Sequence, residues 1–187
     1  MSNEVKELKV YLGGDLLSVP MQDYRAKQRD EIDGIVGIKC YSPSDDKSIN
    51  DKSNAVQEGL AERILRNDYN AMMECDVFTF DILNHATGTI SELSILLGMK
   101  REAEKLLDYD LTPELLNYVE DILRKPVFIY SSDIREGNGH TYADPYRTEV
   151  SFNQFLYGVI LEITDGKGFM SWEEVLKRLE KLGEKNG

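Results

Sequence analysis

The sequence predicts an α/β fold: an open, mostly parallel sheet flanked by helices, of the doubly wound, Rossmann-like or flavodoxin-like kind. Three observations predict it. Four short runs rich in β-branched and aromatic residues recur along the chain, the segments between them carry helical periodicity, and the runs are apolar on both faces, as strands covered on both sides must be. With 187 residues the chain is long enough for one sizeable core and too short for two ordinary domains, so residues 1–187 are read as one domain.

The strands are expected at Leu8–Leu12, Val36–Cys40, Val77–Phe80 and Val127–Tyr130. Met21–Ile32 separates the first two as a helix, and Ala55–Glu74 precedes the third, with Val56, Leu60 and Ile64 at four-residue spacing. Ile90–Leu107 follows the third strand with Leu93, Leu96 and Leu97 on one face. Thr112–Arg124 is an extra helix with Pro113 in its first turn, a position where the missing N–H costs nothing. Glu149–Ile163 and Trp172–Leu182 complete the set, and only a weak candidate exists for a fifth strand. The loop Ser42–Asn54 is polar enough to be read as a mobile surface segment, and Gly183–Gly187 as a frayed tail.

Thirty-four acidic against 22 basic residues give a net charge of −12, which repels polyanions. Neither nucleic acid nor an anionic membrane is an expected partner, and a small molecule is. Cys40 and Cys75 stand in apolar strand-like contexts without CxxC or Cys/His spacing, and His85 and His140 stand alone. Reduced thiols and no metal or other cofactor are therefore expected. The first eight residues include Glu4, Lys6 and Glu7 rather than an apolar run, and no apolar run approaches the ~18 residues of a membrane span, so a cytoplasmic location is expected.

Ligands of open parallel sheets bind beyond the carboxyl ends of the strands. At the first such junction, Tyr11-Leu-Gly-Gly-Asp15, Gly13 and Gly14 allow a sharp turn and close approach to a ligand, or simply a tight turn. Neither GxGxxG nor a P-loop is present, which argues against a dinucleotide or nucleoside triphosphate. At the second junction, from Asp81 to Glu92, Thr89-Ile-Ser-Glu92 fits a capping box. The functional alternative has Gly88 and Thr89 bring backbone to a sugar while Glu92 enters the cleft as a carboxylate nucleophile. Asp68 continues the Val56, Leu60, Ile64 stripe, where a carboxylate is costly unless paired or functional. The alternative there is a helix restarting at Asn67-Asp68.

Taken in order, Tyr11-Leu-Gly-Gly, Asn67-Asp68, Cys75-Asp76-Val77, Asp81 and Gly88-Thr89 followed by Glu92 resemble the nucleoside 2-deoxyribosyltransferase family. Lys125-Pro126-Val127, Asp133-Ile-Arg135 and Asn153-Gln-Phe-Leu-Tyr-Gly158 continue the resemblance to about residue 160. It implies an enzyme that breaks the N-glycosidic bond of a deoxynucleoside and passes the 2-deoxyribosyl group to another nucleobase, without a cofactor. By matched position it implies Glu92 as nucleophile at C1′, Tyr11 as the group orienting it, and Asp68 as the contact or proton donor to the departing base. Gly13, Gly14, Asp15, Asp81, Gly88 and Thr89 are expected to bind substrate. Asn153 is implied to complete a neighbouring subunit's site, hence a homo-oligomer, a dimer or an assembly of dimers. In the family an aspartate usually precedes the Gly-Thr pair by one or two residues, whereas Ala86 and Thr87 stand here. Asp81, Asn84 and His85 are the candidates to replace it.

The implied chemistry follows retaining glycosidases, with one carboxyl group as nucleophile and another handling the proton. Two alternatives stand beside transfer. One is hydrolysis of a nucleoside or nucleoside 5′-monophosphate, which Asp15 disfavours for a phosphate and Ser18 and Arg25 leave open. The other is a non-catalytic nucleoside- or nucleotide-sensing module, for which the missing aspartate speaks.

Overall fold

The computed structural model describes residues 7–50, 56–134 and 152–186. Four strands, β1 (Leu8–Gly13), β2 (Ile38–Tyr41), β3 (Val77–Asp81) and β4 (Val127–Tyr130), form one all-parallel sheet in the order β2-β1-β3-β4. Tyr11 pairs with Tyr41 on one side and Phe78 on the other, and Phe78 pairs in turn with Val127. Chain order reverses between β1 and β3, so the crevice beyond their carboxyl ends is where this topology seats a ligand.

Alternation along the strands feeds two cores. On one face Tyr11, Phe78, Phe80 and Ile129 pack against α3 (Leu60–Glu74), α4 (Thr87–Leu106) and α6 (Gln154–Ile163). On the other, Val10, Leu12, Val77 and Phe128 pack against α1 (Val19–Asp33) and α7 (Trp172–Asn186). Helices thus cover both faces of the sheet, as a doubly wound α/β fold requires. The extra helix α5 (Pro113–Arg124) is capped by Thr112 and packs on α4 through Ala103, Val119 and Ile122 rather than on the sheet. Lys100 reaches across from α4 to donate to the carbonyls of Ile122, Leu123 and Lys125, closing the orphan end of α5.

Several boundaries differ from expectation. β2 starts at Ile38, not Val36, because a turn through Gly37 (φ +77°) carries the chain into the sheet and leaves Val36 88% exposed. The segment expected to be a loose loop is built instead: Pro43–Asp45 makes a 3-10 turn and Lys47–Asn50 the short helix α2, with Ser42, Pro43 and Ile49 buried. Residues 51–55 lie outside the described part. α3 begins after Gly59, so Val56 is exposed and off the helix, and the helix runs unbroken past Asn67 and Asp68. No restart or cap forms there. The expected frayed tail is the last turn of α7 as far as Asn186, because Gly183 packs against Gly37 and the Val36 carbonyl so closely that a Cβ would lie 2.4 Å from that oxygen. No fifth strand joins the sheet among the described residues, although Met170 N–H, just before α7, donates to the Ile129 carbonyl at 2.9 Å. Among the described residues no helix is long and apolar enough to cross a membrane.

Candidate active site

A cleft of about 240 Å³ opens at the carboxyl ends of β1 and β3, lined by Gly14, Asp15, Asp68, the 86–89 turn and Glu92, and walled by Pro43, Ile49 and Ile64. Of the three residues expected to act chemically, Asp68 and Glu92 line it and Tyr11 stands behind Glu92. The fully buried Tyr11 donates its hydroxyl to Glu92 Oε1 at 3.0 Å. Tyr41 stacks on the Tyr11 ring at 5.6 Å between centroids and holds it from the β2 side.

Glu92 reaches this position because α4 starts three residues earlier than the capping box requires. Ala86 is the N-cap residue, buried and unable to cap with its side chain, and Thr89 is already the third helical residue. The capping box therefore does not form. Glu92 stands in the second turn, freed from the helix end, with its carboxylate in the cleft. Burial and then the charge of Asp68 push its carboxyl up to about 7, against the hydrogen bond from Tyr11.

Asp68 projects from the middle of α3, one turn beyond Ile64. Its Oδ1 is buried without a hydrogen-bond partner, and burial, then the charge of Asp46, raise the carboxyl to about 6. Asp46 is held in place by Ser48 and by Asn67 Nδ2, which donates to it at 2.8 Å. Two carboxyl groups thus face one recess in environments that disfavour full ionisation. That combination suits nucleophilic and proton-transfer work near neutral pH.

The remaining expected residues divide. Gly88 and Thr89 line the cleft in the first turn of α4, and Asp15 lines it with only 6% exposure, accepting from Leu17 N–H and lying 3.5 Å from His85 Nε2. Gly13 and Gly14 have packing reasons of their own. A Cβ on Gly13 would lie 2.5 Å from the Phe80 ring, and one on Gly14 2.5 Å from the Arg25 guanidinium carbon. Both residues keep negative φ, so small size rather than left-handed backbone is what the turn demands.

Asp81 is the correction. Expected at the substrate, it is fully buried on the far face of the sheet from Glu92, where it pairs with Arg25 and accepts from Ser132 N–H at 2.8 Å. Side chains alternate along β3, so with Phe80 on the Glu92 face Asp81 must point to α1. Arg25 also donates to Tyr130 at 2.7 Å and to Gln28, which removes it as a donor for a phosphate in the cleft.

Asn153 has a role within its own chain. Its Oδ1 accepts from Phe155 N–H at 2.9 Å and from Leu156 N–H at 3.3 Å, making it the N-cap of α6. Beside it Phe152, Phe155, Leu156 and Val159 stand at three- and four-residue spacings, a face that could meet a second subunit, but Phe152, Leu156 and Val159 are buried in the chain's own core. Phe155 alone of the four is exposed, at 83%.

Sequence reasoning missed Tyr41, Asp46, Pro43 and Ile49. All lie at the carboxyl end of β2, a strand-end junction as eligible as the other two, and the proline in Tyr41-Ser-Pro-Ser-Asp was its visible signal. A larger cavity, about 310 Å³, lies at the opposite end of the sheet near Lys100, Lys125 and Glu162. Its cations are committed to helix carbonyls or to neighbouring carboxylates, so it lacks the unmatched groups of the cleft.

No family model matches the chain, and neither does any curated protein. The fold does match the crystal structure of a conserved protein from Enterococcus faecalis V583, with a TM-score of 0.59 and 17% identity over 94% of this chain and 99% of that one. At that identity the likeness concerns the fold.

Proposed function

We propose that the protein is a cofactor-independent enzyme that breaks the N-glycosidic bond of a deoxynucleoside and transfers the 2-deoxyribosyl group to another nucleobase through a Glu92 ester. The observation that carries this reading is the pairing in one cleft of Glu92, oriented by the Tyr11 hydroxyl, with Asp68, whose buried Oδ1 has no hydrogen-bond partner. A Glu92 oxygen bonds to C1′ as the C1′–N bond breaks, its electron pair going to the base nitrogen, and protonated Asp68 supplies the proton. The second base reverses these steps, attacking C1′, freeing the Glu92 carboxylate and returning a proton to Asp68. The fixed phenol and the recessed carboxylates stabilise the oxocarbenium-like state without rearranging.

Incubation with deoxynucleosides, with and without an acceptor base, tests the proposal by chromatography of the products. Transfer yields a new nucleoside only with acceptor, hydrolysis yields free sugar without it, and a sensing module yields neither. Asp68→Asn is expected to lower kcat about 10²-fold or more with a much smaller change in KM, because the amide keeps the shape but has no proton to give. An unchanged kcat removes Asp68 from the mechanism.

Assembly belongs to the same proposal, now resting on exposed Phe155 beside Asn153 at the start of α6. Mixing Glu92→Gln with Asn153→Ala protein under subunit exchange is expected to restore base transfer. An active monomer by light scattering, or no recovery despite exchange, ends the shared-site idea.

A further inference from the structure

We propose that the cleft prefers N-glycosides whose aglycone is a cation, such as a pyridinium ring, over neutral counterparts of the same shape. This inference rests on the N-glycoside reading above and names its substrate class.

The first ground is an unmatched charge. Asp15, Asp68 and Glu92 line the cleft, and no lysine, arginine or histidine does so among the described residues. Elsewhere near β1, β2 and α1, several acidic side chains have cations: Lys9 pairs with Glu74, Lys39 with Asp33, and Arg29 with Asp45. His85 is the exception at the rim, 3.5 Å from Asp15 and 67% exposed. Arg25, the nearest buried guanidinium, sits behind Gly14 and is held by Asp81 on the other face of the sheet.

The second ground is the partnerless atom. Asp68 Oδ1 is buried in the wall of a preformed cavity with no donor in reach, a placement that costs free energy until something fills it. Tyr11 is already committed to Glu92 and so cannot serve. A delocalised cation seated in the recess would answer Asp68 and Glu92 together, and the poor solvation of the site strengthens that attraction. A 5′-phosphate would meet the same three carboxylates as repulsion.

The third ground is chemical. A neutral base asks for one ionised and one protonated carboxyl in the same recess, whereas a cationic aglycone asks only for the ionised nucleophile. Glu92 bonds to C1′, the C1′–N bond breaks with its pair to the ring nitrogen, and the aglycone leaves neutral with no proton transferred. Both carboxylates work ionised, and the bound cation relieves their mutual repulsion.

The test uses N1-(2-deoxyribosyl)nicotinamide, a pyridinium nucleoside, and its neutral 1,4-dihydro form, which has nearly the same shape. Calorimetric binding to Glu92→Gln at pH 8 is expected to favour the cation on the order of tenfold, with the preference falling as salt is added. In the Asp68→Asn, Glu92→Gln double variant the preference should shrink below about threefold. With Glu92 intact, Asp68→Asn should slow release of nicotinamide far less than release of a neutral nucleobase. Equal binding of the two forms, or a preference indifferent to Asp68, overturns the proposal. The Glu92 adduct, measured separately by mass spectrometry with neutral deoxynucleosides, reports on the N-glycoside reading itself, so the two failures are distinguishable.

Discussion

Glu92→Gln is expected to lower base exchange by at least ~10³-fold while leaving the fold in place and making it more stable above neutral pH. The amide accepts the Tyr11 hydroxyl bond as the carboxylate does but is a poor nucleophile. With wild type and a deoxynucleoside lacking acceptor, mass spectrometry should find a 2-deoxyribosyl adduct on the peptide containing Glu92. The variant should show none.

The stability effect has a definite sign. Glu92 ionises near 4.5 when unfolded and at about 7 in the cleft, so the native state binds the proton more tightly. Its contribution is fully present below pH 4.5 and is lost as pH rises through about 7. Asp68, raised from 3.8 to about 6, acts in the same direction over a lower window. Glutamine has no charge to lose, so the Tm difference between variant and wild type should grow from pH 5 to pH 8. Activity should instead follow a bell in the wild type, highest between about pH 6 and about pH 7, where Glu92 and Asp68 hold one proton between them, and falling as the pair gains a second proton or loses both. A variant that is both inactive and less stable at pH 8 would make Glu92 a structural group.

The fold was legible because its signals are periodic. β1, β3 and β4 fall within a residue of their apolar runs, and Thr112-Pro113 marks the start of α5 as its capping role requires. What was not legible depended on which way a side chain turns once helices settle on the sheet. Thr89-Ile-Ser-Glu92 fits a capping box in one dimension, yet buried Ala86 starts α4 early and converts Glu92 from cap to cleft group. Asp68 stood out as a carboxylate on an apolar stripe, and of that stripe Ile64 lines the cleft beside it while Val56 lies off the helix. Asp81 looked like a site residue by position alone. Strand alternation, which the sequence already contains, places it opposite Phe80 and away from the cleft.

That misplaced aspartate carries the largest stability prediction. Arg25 and Asp81 are both fully buried, and Arg25 is held by Tyr130 and Gln28 as well, so the pair has its charge and most of its hydrogen bonds satisfied only while every member is present. Asp81→Ala leaves a guanidinium without its counter-charge in a dry site, which is expected to cost about 3–5 kcal/mol in denaturant unfolding. That is a large share of the ~5–15 kcal/mol typical of a domain, so the variant is expected to be poorly folded at 25 °C. The double replacement Arg25→Met, Asp81→Leu removes both charges together and should recover most of the loss, since apolar groups of similar volume need no partners. Its activity should still fall. Gly14 rests on the Arg25 guanidinium and Ser132 N–H on Asp81, so the pair fixes the β1 turn at the cleft and the chain leaving β4. A double variant that regains both stability and full kcat/KM would show that the buried pair does nothing for the site. One that regains stability alone separates the anchor from the chemistry, which Glu92→Gln does from the other side by losing activity and keeping the fold.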